Sequence, residues 1–114
     1  MKPASARQHL NDIVANIRSA ELLLVQASRQ TSDLELLIKL HIEYSALDSY
    51  LSQVLHALAL SDEAFFTTAT DALKQQCGVL QQEAEDIGMT VPDFDLASEI
   101  ARYLAQASQS AAML

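Results

Sequence analysis

The chain has 114 residues, half of them hydrophobic, and a formal net charge of -8. This length predicts one domain over residues 1-114, and this apolar content excludes a disordered chain. The excess of 15 Asp and Glu over 7 Lys and Arg argues against a nucleic-acid binder, because phosphate binding needs clustered cations.

The first predicted helix covers about 5-29, with Ser5 as its N-cap. Its apolar stripe recurs at steps of three and four, which keeps the side chains on one face. Leu22, Leu23 and Val25 widen that face, so we expect this helix to contact more than one neighbour. The stripe consists of Leu10, Ile13, Val14, Ile17, Ala20, Leu24 and Ala27.

The second predicted helix covers about 33-60, and Ser32 and Glu35 at its start have the spacing of a capping box. Its apolar residues form a heptad seam that requires a partner helix. The seam consists of Leu37, Leu40, Tyr44, Leu47, Leu51, Val54 and Leu58. Three further apolar residues, Leu34, Ile38 and Ile42, lie outside it.

The third predicted helix covers about 62-87, with Ser61 as N-cap and Gly88 as the residue after its end. Gly78 lies inside it and should cost about 1 kcal/mol relative to Ala. A close approach of another backbone would explain that glycine. The predicted seam is Phe66, Ala69, Leu73, Gln76, Leu80, Ala84 and Ile87.

The fourth predicted helix covers about 93-110, and Pro92 suits a first helical position. Its inward residues are Phe94, Ala97, Ile100, Ala101, Leu104 and Ala107. Because the connections are short, neighbouring helices should pack antiparallel. The predicted fold is therefore an all-α, antiparallel up-down four-helix bundle, with a dimer left open as an alternative to the monomer.

The residues that carry chemistry are sparse. His41 and His56 share one helix and lie ~22 Å apart, too far to bind one metal ion within one chain. The Glu-x-x-His pairs of metal-binding bundles do not occur, and Cys77 is the only cysteine. We expect no catalytic residues, no cofactor and no metal; if a metal does bind, His41, His56 and Cys77 are the candidate ligands.

Asp71-Ala72-Leu73-Lys74-Gln75 resembles the His-x-Leu-Lys-Gly segment of histidine-containing phosphotransfer domains. In this chain Asp stands where those domains carry the phosphorylated His, and Gln stands where they carry Gly. The resemblance covers about five residues and implies an acidic four-helix bundle that lacks the essential nucleophile. A degenerate, binding-only relative is therefore one alternative function.

The favoured function is a non-catalytic protein-binding module such as an adaptor, a secretion-type chaperone, or an immunity or regulatory protein. Surplus apolar surface is typical of a homodimer or a partner groove, and acidic charge steers basic partners. The expected partner-binding residues are Leu22, Leu23, Leu34, Ile38, Ile42, Glu83, Glu85 and Asp86. The other alternative is a ligand or metal sensor built on a helical-bundle dimer.

The location expected from the sequence is the cytoplasm. The N-terminal residues lack the pattern of a secretory signal, and the longest apolar run has four residues, Leu22 to Val25. We therefore expect no membrane partner. The surplus apolar surface predicts a protein partner and a homodimer, and the acidic charge argues against a nucleic acid.

Overall fold

A computed structural model describes residues 3-114, and all regular structure within them is helical. Five helices follow one another where the sequence predicted four, because the third predicted helix is divided in two. The helices are α1 (Pro3-Arg29), α2 (Leu34-Ala59), α3 (Glu63-Gln75), α4 (Gly78-Thr90) and α5 (Phe94-Ala112).

Aspartate is the N-cap residue of three of the five helices. Asp33, Asp62 and Asp93 have extended backbones, and each side chain accepts hydrogen bonds from the first-turn backbone N–H groups of α2, α3 and α5. A carboxylate at this position pairs orphan donors and complements the helix dipole.

The predicted helix ends need correction at several positions. Ser5 lies inside α1 rather than at its N-cap, and Ser32 and Ser61 each precede the aspartate that caps the helix. Pro92 lies before the N-cap of α5 rather than at its first position. Gly88 lies within α4, which continues to Thr90.

The break between α3 and α4 centres on Gln76 and Cys77. The Cys77 amide bonds the Lys74 carbonyl at 3.3 Å instead of the Leu73 carbonyl one residue earlier. The buried Tyr50 hydroxyl donates to that Leu73 carbonyl at 2.8 Å. Side-chain insertion into the backbone ladder is a recognised cause of helix kinks, so Tyr50 accounts for the division of the third predicted helix.

Neither glycine is required by packing. A Cβ added at Gly78 or Gly88 would meet no atom within 4 Å outside the neighbouring residues and the backbone of its own helix, so the close backbone approach expected at Gly78 is wrong. Both glycines also have a negative φ, and Gly88 therefore does not act as a left-handed helix cap.

The helices surround one core. α1 and α4 each pack against both α5 and α2. α3, which precedes α4 in the chain, also contacts α2 and α5. The largest fully buried side chains are Leu10, Ile13, Ile17, Leu24, Leu40, Leu47, Val54, Leu73, Leu80, Ile87, Ile100 and Leu104.

Arg7 connects the start of α1 to the end of α2. Its guanidinium donates to the Leu58 carbonyl at 3.0 Å and to the Leu60 carbonyl at 2.6 Å. The same group lies 4.3 Å from the centre of the Phe66 ring. One side chain thus pairs carbonyls at the C-terminus of α2 and covers the first turns of α3.

The buried row of α2 differs from the predicted seam. Leu37, Tyr44 and Leu58 are only half-buried, whereas Glu43 and Tyr50 are buried. The buried residues of this helix are Leu40, Glu43, Leu47, Tyr50, Leu51, Val54 and Ala57. The core therefore includes two polar residues at positions that fit the same three-and-four spacing.

Two further inward predictions are wrong. Gln76 is exposed at the break between α3 and α4, and Phe94 is exposed in the first turn of α5. At the C-terminus, by contrast, Ala111 and Leu114 are buried in the core. α5 therefore packs along its whole length.

No helix within residues 3-114 is long and apolar enough to cross a membrane.

Candidate protein-binding surface

Three exposed apolar side chains form a row on α2. Leu34, Ile38 and Ile42 are 71%, 53% and 61% exposed, respectively. Their spacing of four places them on one stripe of the helix, which we call the α2 ridge. The side chains that anchor α2 to the core lie on its other face, so the core does not use this row.

A groove of about 360 Å³ lies between α2 and α4 beside the ridge. Ile42 belongs to both features, and across the groove Met89 is 87% exposed. We call this feature the acidic groove because three of its seven lining residues are carboxylates. It is lined by Lys39, Ile42, Glu43, Glu83, Asp86, Met89 and Thr90.

Glu43 is buried at the acidic groove, with 8% of its surface exposed. Its Oε1 accepts a hydrogen bond of 2.6 Å from the Thr90 hydroxyl. The Oε2 atoms of Glu43 and Glu83 are buried and have no hydrogen-bond partner among residues 3-114. A buried carboxylate oxygen without a partner costs free energy, so this groove favours the binding of a proton or of a hydrogen-bond donor.

Proton affinity in the acidic groove is correspondingly high. Burial raises the pKa of Glu83 to about 7, and repulsion from Asp86 and Glu43 adds to the effect. Burial also raises the pKa of Glu43, although the Thr90 hydroxyl opposes the shift.

A second groove lies on the other side of α2, against α1. Two adjoining depressions of about 250 and 190 Å³ share Val25 and Tyr44. Exposed Leu22 lies at one end, near Glu21. Burial raises the pKa of Glu21 to about 7, with Asp48 adding to the shift and Arg18 opposing it.

Some of the remaining predicted site residues lie at the described surfaces, and others do not. Glu83 and Asp86 line the acidic groove, whereas Glu85 is exposed and is not among the residues that line it. Leu22 is exposed on α1, but its neighbour Leu23 is half-buried and packs against the core.

The three candidate metal ligands occupy different surroundings. His41 lines the groove between α1 and α2, His56 lines a separate groove between α2 and α3, and Cys77 packs against the core. Within residues 3-114, no group of three or more His, Cys, Asp or Glu side chains is placed to hold a metal ion.

Sequence reasoning missed Glu43, Met89 and Thr90 in the acidic groove. Glu43 lies three residues after Leu40 and four before Leu47. This spacing alone is enough to predict a buried position at residue 43. Met89 and Thr90 fell outside the third predicted helix, which was expected to end near residue 87. They reach the groove because α4 continues through them.

Comparison of the chain with family models, curated proteins and solved structures finds no match. The phosphotransfer resemblance of residues 71-75 therefore stays a prediction.

Proposed function

We propose that this chain is a non-catalytic protein-binding module whose α2 ridge, together with Met89, receives an amphipathic helix of another protein. The observation that carries the proposal is the row of Leu34, Ile38 and Ile42, each more than half exposed. Single exposed apolar residues are ordinary, whereas a contiguous apolar patch is typical of an interaction site.

The shape of the surface favours a helix as the partner. The ridge runs along α2 with a groove on each side. Ridges that pack into grooves are the usual contact between two helices. A partner helix would present apolar residues at steps of three and four to the ridge, which is the helix-in-groove mode of recognition.

The charge favours a basic partner over a second copy of this chain. Each copy carries a formal net charge of -8, so two copies repel, whereas a basic helix is attracted. The homodimer expected from the sequence stays a prediction. Light scattering tests it, since a dimer would have twice the 12.5 kDa mass of one chain.

The same proposal includes an antiparallel up-down order of helices and a cytoplasmic location. Short connections between successive helices and the contact of Arg7 with the end of α2 support the helix order. A single cysteine, which allows no internal disulfide, is compatible with a reducing compartment.

Selection from a random peptide library tests the proposed binding. Peptides of about 16 residues allow four helical turns, and the wild-type chain serves as bait. We expect the enriched peptides to combine basic residues with apolar residues at helical spacing. Their affinity should fall at least about tenfold for Ile38→Lys, because a charge would enter the apolar contact.

Phe65→Lys is the matched control, since Phe65 is an exposed apolar residue of α3 away from the ridge. Circular dichroism should show unchanged folding for both variants, because both side chains are exposed. Equal loss of binding in the two variants, no loss in either, or no enriched peptide would contradict the proposal.

A further inference from the structure

We propose that the acidic groove between α2 and α4 is a receptor for an arginine side chain of the partner helix. The inference rests on the proposed function for the origin of that arginine. The groove itself can be tested without the partner.

Two carboxylates at the acidic groove each have an unpaired oxygen. Glu43 is nine-tenths buried, and within the part of the chain that the structure describes no donor reaches its Oε2 atom or the Oε2 atom of Glu83. A guanidinium carries five N–H donors in a planar fork, which suits carboxylate pairs better than an ammonium does. The last torsion of a Glu side chain is soft, so Glu83 can present either oxygen to the groove.

The charges that line the groove are unbalanced. Glu43, Glu83 and Asp86 face it, and among residues 3-114 Lys39 is the one basic residue that lines it. The Lys39 Nζ atom lies 3.8 Å from the Glu35 Oε1 atom, and both side chains are exposed on α2. The groove therefore carries excess negative charge, which an incoming cation would neutralise.

The walls of the groove are partly apolar. Ile42 and Met89 line the groove beside the carboxylates, and apolar walls of this kind pack against the methylene stem of an arginine. Because Ile42 also belongs to the α2 ridge, one partner helix can contact the ridge and place an arginine in the groove.

Proton binding competes with arginine binding at this site. The pKa of Glu83 is raised to about 7, so its carboxyl is largely protonated at pH 5.5 and largely ionised at pH 8. The charged groups that line the groove are Lys39 and Glu43 on α2, and Glu83 and Asp86 on α4. We expect the site to bind a guanidinium about tenfold more tightly at pH 8 than at pH 5.5.

The experiment is an NMR titration of the full chain with n-propylguanidinium, which has the end group of arginine, against sodium chloride at equal ionic strength. The backbone amides of Ile42, Glu83 and Thr90 should shift and saturate with a Kd on the order of 10 mM, a range that two charge-assisted hydrogen bonds support.

Variants identify the groups responsible. Glu83→Gln should abolish saturation, whereas Glu85→Gln, which changes an exposed acid on the same helix, should not. Lys39→Gln should tighten binding, because it removes a positive charge at the groove that repels the incoming guanidinium. Shifts that stay linear, match those caused by sodium chloride, or persist in Glu83→Gln would overturn the proposal.

A peptide selected on the wild-type chain links the groove to the partner. Replacement of its arginine by the uncharged isostere citrulline should weaken binding to the wild type about tenfold and leave binding to Glu83→Gln unchanged. If citrulline has no effect while Ile38→Lys still abolishes binding, the proposed function stands and the arginine receptor fails. If n-propylguanidinium binds but no peptide depends on Ile38, the cation site exists and the proposed function fails.

Discussion

The Tyr50 hydroxyl on α2 donates a buried hydrogen bond of 2.8 Å to the Leu73 carbonyl near the end of α3. This contact lies where α3 ends and α4 begins, so it joins the second helix of the bundle to the irregular point of the third. We expect Tyr50→Phe to lower the free energy of unfolding by about 1 kcal/mol, because a buried carbonyl loses a donor.

Chemical denaturation measures this effect, with Tyr103→Phe as the control. Tyr103 is half-buried on α5, and its hydroxyl has no hydrogen-bond partner among residues 3-114, so its removal should change stability little. Equal stability of wild type and Tyr50→Phe would show that the hydrogen bond does not hold the break between α3 and α4.

Gly88 offers a stabilising substitution. It lies within α4 with a negative φ, and a Cβ there would meet no atom within 4 Å beyond the local backbone of α4 and the neighbouring residues. Gly88→Ala should therefore raise the free energy of unfolding by about 0.5–1 kcal/mol, through helix propensity and reduced freedom of the unfolded chain. A loss of stability in thermal unfolding would instead support the left-handed helix cap expected from the sequence.

Arg7 should stabilise the contact between the start of α1 and the end of α2. Arg7→Ala removes hydrogen bonds to the carbonyls of Leu58 and Leu60 and the contact with Phe66. We expect a loss of about 1–2 kcal/mol in denaturant unfolding. Arg7→Lys should recover only part of it, because an ammonium lacks the planar fork. Arg29→Ala, at an exposed position of α1, should cost much less.

Three carboxyl groups with a raised pKa, those of Glu21, Glu43 and Glu83, make the stability of the fold depend on pH. The pKa values of Glu21 and Glu83 are both raised from 4.5 to about 7 in the folded chain. Between pH 4.5 and about 7, these carboxyl groups therefore stay protonated in the folded chain but lose their protons in the unfolded chain. Their contribution to stability is fully present below pH 4.5 and is lost as pH rises through 7.

Glutamine substitution separates this contribution from other titrations. A complete shift of this size corresponds to about 3 kcal/mol, and because Glu83 is only half-buried we expect about 1 kcal/mol from it after screening by water. Glu83→Gln should be more stable than wild type at pH 8 and similar at pH 4.5, whereas Glu85→Gln should match wild type at both. An equal effect of Glu83→Gln at the two pH values would contradict the raised pKa.

The sequence predicted the helical class and the ends of α1 and α2 to within about two residues, because local propensity and periodicity determine them. It placed two N-caps one residue early. Ser32–Asp33 and Ser61–Asp62 each offer two capping side chains, and which residue has the extended backbone depends on the folded chain.

The break between α3 and α4 was beyond local reasoning. It depends on Tyr50, a residue of another helix that lies 23 positions before Leu73.

The candidate site was only partly predictable, because one of its features depends on a single helix and the other on the contact between two helices. The row of Leu34, Ile38 and Ile42 follows from spacing alone, whereas the acidic groove required knowing that α2 and α4 pack together.

Methyl NMR tests the central claim most directly, by following the isoleucine δ1 methyl groups as a selected peptide is added. We predict that Ile38 and Ile42 shift and saturate together, while Ile13 and Ile100, which are fully buried, stay unchanged. A peptide that binds without moving Ile38 and Ile42 would contradict the claim that the α2 ridge is the binding surface.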